Sequence, residues 1–98
     1  MWHSFVSQSA SVNFPEVSLP EHPGKHRLLH IHRNQPGILS QVNRVFSENH
    51  INIAAQYLQT NDKIGYVVID IDGDENTSAL ALKEMRQVQG TIRSRRLY

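Results

Sequence analysis

Three polar residues beside a predicted helix have the chemistry to hold a small charged molecule. His32 and Asn34 precede the helix and Asn52 follows it, in the stretch HIHRNQPGILSQVNRVFSENHINIAAQY. An imidazole donates or accepts a hydrogen bond, and an asparagine amide does both. A helix N-terminus with free amides attracts a carboxylate. Together these groups could bind a free amino acid.

The same residues also have simple structural interpretations. Asn34 could cap the helix, Pro36 fits its first turn, and Gly37 lets the backbone come close to a ligand. Asn52 could be an ordinary polar residue between a loop and a strand. The residue types alone leave the binding role and the structural role equally open.

The spacing His30-x-His32 places two imidazoles on one strand face, where they could chelate a metal ion. Zinc sites need three or four ligands, and none follows at a suitable spacing, although His26 shares the face. We therefore predict no metal site. For His30 we predict a half-exposed histidine on an open sheet face, whereas a ligand contact stays open for His32.

No pattern in the sequence predicts catalysis. Asp70, Asp72 and Asp74 lack the glycine and glutamate positions of a calcium loop, and a strand end followed by a helix cap explains them. The sequence has no nucleophile elbow, phosphate loop or dinucleotide motif. We predict no catalytic residue and no cofactor in this chain.

Composition excludes several classes of function. The 98 residues suffice for one domain, the net charge is +1, and cysteine is absent. No apolar run approaches the ~20 residues of a membrane span, and no secretory signal is evident, so we expect a cytoplasmic protein that binds no membrane. Arg93, Arg95 and Arg96 form a basic tail, but the first strand has no aromatic residue on which RNA bases could stack. We expect no nucleic-acid partner.

Hydrophobic periodicity predicts the order βαββαβ. The strands are expected at His26–Arg33, Ile51–Thr60, Ile64–Ile71 and Thr91–Leu97. This order is typical of an α+β, ferredoxin-like fold, with a four-stranded antiparallel sheet in the order 4-1-3-2 and two helices on one face. Residues 1–25, rich in proline and serine, are expected to be a connector, and residues 26–98 the domain.

Strand two then lies at an edge of the sheet. It carries no charge from Asn52 to Leu58, and an exposed uncharged edge favours pairing. We therefore expect a homodimer formed through strand two and the first helix. Alternation places Ile53, Ala55 and Tyr57 on one face of this strand. At the end of the helix, Asn49 is expected to adopt the left-handed conformation more readily than His50.

Residues 26–98 resemble an ACT domain, and in particular the C-terminal ACT domain of bacterial D-3-phosphoglycerate dehydrogenases. The resemblance is carried by HIHRNQPGIL, INIAAQYLQT, GYVVIDID and GTIRSRRLY, and VNFPEVSLP is similar to the segment that precedes this domain. The resemblance thus implies a parent enzyme that oxidises 3-phosphoglycerate with NAD in serine biosynthesis and is inhibited by L-serine.

The resemblance implies an L-serine site between two paired ACT domains. It places His32 and Asn34 on the histidine and asparagine that contact serine, and Asn52 on an asparagine that reaches the ligand of the other subunit. This chain has His50 where relatives often have glycine, which could alter how the helix leads into Asn52. The chain is expected to bind serine without turnover; the alternative is a dimerisation module without a ligand.

Overall fold

Six elements follow one another in residues 25–98, the part of the chain that the computed structural model describes. They are β1 (His26–Arg33), α1 (Ile38–Glu48), β2 (Ile53–Thr60), β3 (Ile64–Ile71), α2 (Glu75–Arg86) and β4 (Thr91–Arg96). The connector predicted over residues 1–25 lies outside the described residues, except for Lys25. None of the described helices has the length and apolar character needed to cross a membrane.

The strands form one antiparallel sheet in the order β2-β3-β1-β4. This confirms the predicted ferredoxin-like α+β fold and leaves β2 and β4 at the two edges. β3 lies between β2 and β1, which explains why its sequence IGYVVIDI is the most apolar of the four.

The main core lies between the sheet and the two helices. On the sheet side it is formed by Leu28, Val67, Ile69 and Ile71, and on the helix side by Ile38, Val42, Val45, Phe46, Ala81 and Met85. The apolar positions of both helices recur every three or four residues, so that each helix buries one stripe against the sheet.

α1 begins later than its sequence suggests. Gly37 is its N-cap residue, with a φ of 88°, and no side chain caps the helix. Asn34 therefore does not cap α1, and Pro36 precedes the N-cap instead of lying in the first turn, so both predictions are wrong. A positive φ favours glycine, and a Cβ on Gly37 would meet no atom within 4 Å. The backbone conformation alone therefore calls for a glycine at this position.

α1 also ends differently from the prediction. His50 adopts the left-handed conformation, with a φ of 56°, whereas Asn49 has a φ of −98°. The Asn49 side chain donates a hydrogen bond to the carbonyl of Val45, at 2.7 Å. Because this bond holds Asn49 at the end of the helix, the reversal of the chain falls on His50. The preference of asparagine for left-handed φ was outweighed by its side-chain hydrogen bond.

A bulge in β2 reverses the predicted alternation of its side chains. The register with β3 shifts between Ile53 and Ala55. Ile53 therefore packs on the helix-covered core, whereas Tyr57 packs on the opposite face of the sheet. The prediction that both share a face is wrong, because an extra residue in one strand shifts the period of two by one.

The opposite face of the sheet has its own cluster, formed by Leu29, Ile31, Tyr66 and Val68. Beside it, Arg27 of β1 pairs with Asp70 of β3 through two hydrogen bonds of 2.7 and 2.8 Å. The Arg27 guanidinium also lies 5.1 Å from the ring centre of Tyr98 and 6.0 Å from that of Tyr57. Both members of the ion pair are buried.

Candidate functional site

His32 lies at the end of β1 on the helix-covered face of the sheet. It is 3% exposed and His30 is 0% exposed. The prediction of a half-exposed His30 on an open face is therefore wrong: the period of two was right, but the two helices cover the face on which both histidines lie. The His32 ring reaches sideways over Gly65 of β3, where a Cβ would approach Nε2 to 2.5 Å. Only a glycine leaves room for this ring.

A chain of polar contacts runs from His32 to α2. The Nδ1 atoms of His32 and His30 are 3.3 Å apart, and Nε2 of His30 is 2.8 Å from Oγ1 of Thr91. The Thr91 hydroxyl donates a hydrogen bond of 3.0 Å to the carbonyl of Met85. The pKa of His30 is lowered to about 4, chiefly by burial and also by the neighbouring His32, while the Met85 carbonyl opposes the shift. Burial lowers the pKa of His32 as well, so both imidazoles are neutral at pH 7.

Asn34 is held by the hairpin between β2 and β3. Its side-chain amide donates to the carbonyl of Asn61 at 2.6 Å, and its backbone amide donates to the carbonyl of Lys63 at 2.9 Å. Asn61 also orders the hairpin, because its side-chain oxygen accepts from the amides of Lys63 and Ile64. Asn34 thus lies at the same end of the sheet as His32.

The N-cap residue of α1, Gly37, lies three residues after Asn34. No side chain caps it, and its first turn carries no acidic residue. Pro36 and Gly37 form the turn that leads into it. Uncapped amides and the helix dipole together favour a negative charge at this position.

Asn52 lies at the other end of the sheet. Its side-chain amide donates to Asp72 at 2.5 Å, and its carbonyl accepts from the Asp72 amide at 3.1 Å. Lys25 forms an ion pair with the same carboxylate. The Lys25 ammonium and the Asn52 amide hold the pKa of Asp72 below its usual value.

The structure therefore brings together two of the three predicted residues and separates the third. In the β1–β3 register, His32 lies opposite Gly65 and His26 opposite Ile71, and Asn52 bonds to Asp72, the residue after Ile71. Six residues of β3 span about 20 Å at ~3.4 Å per residue. Within one chain, Asn52 cannot contact a small molecule held by His32 and Asn34.

Three further residues belong to this region and were not predicted: Gly65, Asn61 and Thr91. Gly65 could have been noticed, because a glycine inside an apolar strand often marks a close approach. Asn61 gave only a turn signal. Thr91 carried no signal, since its contact with His30 spans 61 positions of the sequence.

Neither of two surface clefts is lined by His32, Asn34 or Asn52, although Gly37 lines one of them and Pro36 the other. One, of about 490 Å³, lies between α1 and α2, and the other, of about 360 Å³, lies beside Pro36 and Gly90. In residues 25–98, no three histidine, aspartate or glutamate side chains gather as ligands for a metal ion. The half-site, as we call the hairpin end of the sheet with His32 and Asn34, is thus the candidate site, and Asn52 lies at the opposite end of the sheet.

The chain is thus a small ferredoxin-like α+β domain with two of the predicted residues at one end of its sheet. The chain belongs to the ACT domain family: residues 28–93 match the family model described as the AHAS small subunit-like ACT domain.

In curated relatives, the region that matches this chain is part of a longer protein. The chain is 58% identical over 92 residues to D-3-phosphoglycerate dehydrogenase of Haemophilus influenzae and 56% identical over 92 residues to that of Escherichia coli K12. Each match covers 94% of this chain and 22% of the relative, so the chain spans about a fifth of the length of these relatives.

Solved structures agree on the fold. The ACT domain from GTP pyrophosphokinase of Chlorobium tepidum superposes with a TM-score of 0.67 at 20% sequence identity. The match covers 74% of this chain and 96% of that domain. At this identity the likeness concerns the fold alone.

Proposed function

We propose that this chain is the L-serine-binding regulatory domain of a D-3-phosphoglycerate dehydrogenase, and that its site is completed by a second copy. The observation that carries the proposal is the separation of Asn52 from His32 and Asn34 by the length of the sheet. A site that uses all three residues requires two chains. The high identity to the two bacterial dehydrogenases supports the choice of serine as the ligand.

The edge strand β2 provides a pairing geometry that fits. If two copies pair side by side through β2 about a twofold axis, the strands run antiparallel and each patch meets its own copy. The start of β2 in one chain then lies beside the end of β2 in the other, next to the hairpin that holds Asn34. Asn52 thereby approaches the partner's half-site. Leu58, which is 46% exposed on this strand, would be covered by the pairing.

The ligand's two charged groups fit different parts of the half-site. The serine carboxylate is expected at the uncapped N-terminus of α1, where backbone amides and the helix dipole favour an anion. His32, Asn34 and the partner's Asn52 surround the remaining polar groups. Pro36 and Gly37 support the turn that orients the first helical amides.

In an intact dehydrogenase, serine held between two domains would favour one subunit arrangement over another. A ligand shifts such an equilibrium only by its difference in affinity for the two states. We assign the oxidation of 3-phosphoglycerate, and the NAD it uses, to the part of the protein outside this domain. A cytoplasmic location follows from that biosynthetic role.

Calorimetric titration of the chain with L-serine, and with L-alanine as a control, tests the proposal. We expect saturable binding of one serine per chain and much weaker binding of alanine. A folded, dimeric chain that takes up no serine would refute the proposed ligand.

The variant Asn52→Ala tests the shared site. It removes a ligand contact and a hydrogen bond to an exposed carboxylate, so we expect serine binding to weaken by on the order of tenfold with little change in the melting temperature. Calorimetry and thermal denaturation measure the two effects. If Asn52→Ala unfolds the chain, Asn52 has a structural role instead.

The alternative is a dimerisation module without a ligand. The uncharged β2 edge with exposed Leu58 favours it as a second candidate. Dimerisation that responds to no amino acid would support this alternative over the first.

A further inference from the structure

The hydrogen-bond chain behind His32 fixes which of its ring nitrogens carries the proton. The Met85 carbonyl can only accept, so the single Thr91 proton is used in the 3.0 Å bond to it. Thr91 Oγ1 must then accept from His30 Nε2, 2.8 Å away. His30 is neutral, so its Nδ1 carries no proton and can only accept.

The same logic continues to His32. Its Nδ1 lies 3.3 Å from the unprotonated Nδ1 of His30, so it must be the donor. The Nε2 of neutral His32 is then unprotonated. This nitrogen lies over Gly65, on the side of the ring that faces away from His30, and no described residue donates to it. His32 thus presents a hydrogen-bond acceptor at the half-site.

The side chains of Asn34 and Asn52 both donate a hydrogen bond within the chain through their amide nitrogen. The Asn34 amide group donates to a carbonyl, that of Asn61, and the Asn52 amide group donates to the carboxylate of Asp72. Both partners are acceptors only, which leaves the side-chain oxygens of Asn34 and Asn52 for a ligand. All three residues therefore offer an acceptor, which an ammonium group can use and a carboxylate cannot, and each asparagine amide keeps one further N–H beside its oxygen.

We propose that His30, anchored through Thr91 to the Met85 carbonyl, is a positioning residue that keeps His32 Nε2 an acceptor, so that the half-site reads the ammonium group of its ligand. The inference rests on the proposed function and deepens it. It assigns the ammonium to His32, Asn34 and Asn52, and leaves the carboxylate to α1.

The proton positions are measurable in the unliganded chain at pH 7. Long-range ¹H–¹⁵N correlation spectra distinguish protonated from unprotonated ring nitrogens of each histidine. We expect protons on Nδ1 of His32 and on Nε2 of His30. A proton on Nε2 of His32 overturns the proposal, and this result needs no variant.

Binding of two ligands tests the consequence. L-Glycerate differs from L-serine by a hydroxyl in place of the ammonium, so we expect the wild-type chain to bind it on the order of a hundredfold more weakly. If the chain binds no serine, the proposed function fails; if it binds serine and glycerate equally, the inference alone fails.

Two variants of His30 separate positioning from packing. His30→Leu removes the acceptor for His32 Nδ1, so the preference for serine over glycerate should fall on the order of tenfold and the Nε2 signal of His32 should show a proton. His30→Asn keeps an acceptor amide at this position and should retain the preference. An unchanged ratio and an unchanged His32 signal in folded His30→Leu would contradict the assigned role.

Discussion

At the scale of single residues, the two histidines of β1 determine the hydrogen-bond directions in the half-site. Both are buried and neutral, which is tolerable because each nitrogen facing the interior has a hydrogen-bond partner. Burial makes them costly to protonate. A site made from such residues has fixed hydrogen-bond directions at neutral pH, and its stability depends on pH.

Acid should destabilise the domain through His30. The unfolded residue has a pKa of 6.5 and the folded one about 4. Between these values the unfolded chain takes up a proton that the folded chain does not, so stability is complete above pH 6.5 and falls as the pH drops toward 4. A shift of this size corresponds to about 3 kcal/mol. Urea denaturation at several pH values measures the loss.

Two substitutions locate this effect. In His30→Asn the stability should depend less on pH between 6.5 and 4, because the titrating group is gone. His50→Asn, at an exposed position, should retain the wild-type slope. Equal slopes in His30→Asn and the wild type would show that another group governs the acid response.

The left-handed backbone of His50 predicts a stabilising substitution. At a φ of 56° a residue with a Cβ is strained by about 1 kcal/mol, and glycine is not. We expect His50→Gly to raise the free energy of unfolding by only about a few tenths of a kcal/mol, because the entropy that glycine gains in the unfolded chain offsets most of the relieved strain. Chemical denaturation measures this difference. His50→Ala, which keeps a Cβ, is the control and should give no gain.

At the scale of elements, the sheet joins its two central strands with a buried ion pair. Arg27 of β1 and Asp70 of β3 stand opposite each other in the register and share two hydrogen bonds. The arrangement satisfies both oxygens of the carboxylate and places the guanidinium between two tyrosine rings. Such a pair need not stabilise a fold more than apolar residues would, but breaking it is costly.

Removing one charge of this pair should destabilise the domain strongly. Asp70→Asn removes the charge of the carboxylate that accepts two hydrogen bonds from the buried guanidinium of Arg27, so we expect a loss of about 3 kcal/mol. Thermal and urea denaturation measure the loss. The matched control is Asp72→Asn, two residues along the chain and exposed, which should have a small effect. Similar melting temperatures for Asp70→Asn and the wild type would contradict the assignment.

At the scale of the whole molecule, the two ends of the sheet carry complementary halves of one proposed site. The hairpin end holds His32 and Asn34, and the opposite end holds Asn52. The length of β3 keeps the two halves apart within a chain. Binding and association should therefore be coupled.

A charge on β2 should disrupt both properties. Leu58→Lys places a cation on the uncharged edge, so we expect a monomer by analytical ultracentrifugation and serine binding weakened by at least tenfold. Ile92→Lys is the control, because Ile92 is 49% exposed on the other edge strand, β4, and should leave both properties unchanged. If Ile92→Lys gives the monomer instead, the chains pair through β4.

The sequence by itself determined the fold and most of the candidate residues. Periodicity of two and of three to four, interrupted by turn residues, was enough for the βαββαβ order, the central position of β3 and the edge position of β2, because these features follow from local spacing and from the number of apolar positions. The strings around His32, Asn34 and Asn52 pointed to the ACT family, which the family match confirms.

Only the tertiary structure decided how those residues are used. The burial of His30, the bulge after Ile53 and the hydrogen bonds of Asn34 and Asn52 all depend on partners distant in sequence, which spacing cannot reveal. The proposed proton position on His32 depends on Thr91, which lies 59 residues further along the chain. Residue types supplied the groups that could bind, and the packing of strands and helices determined their direction.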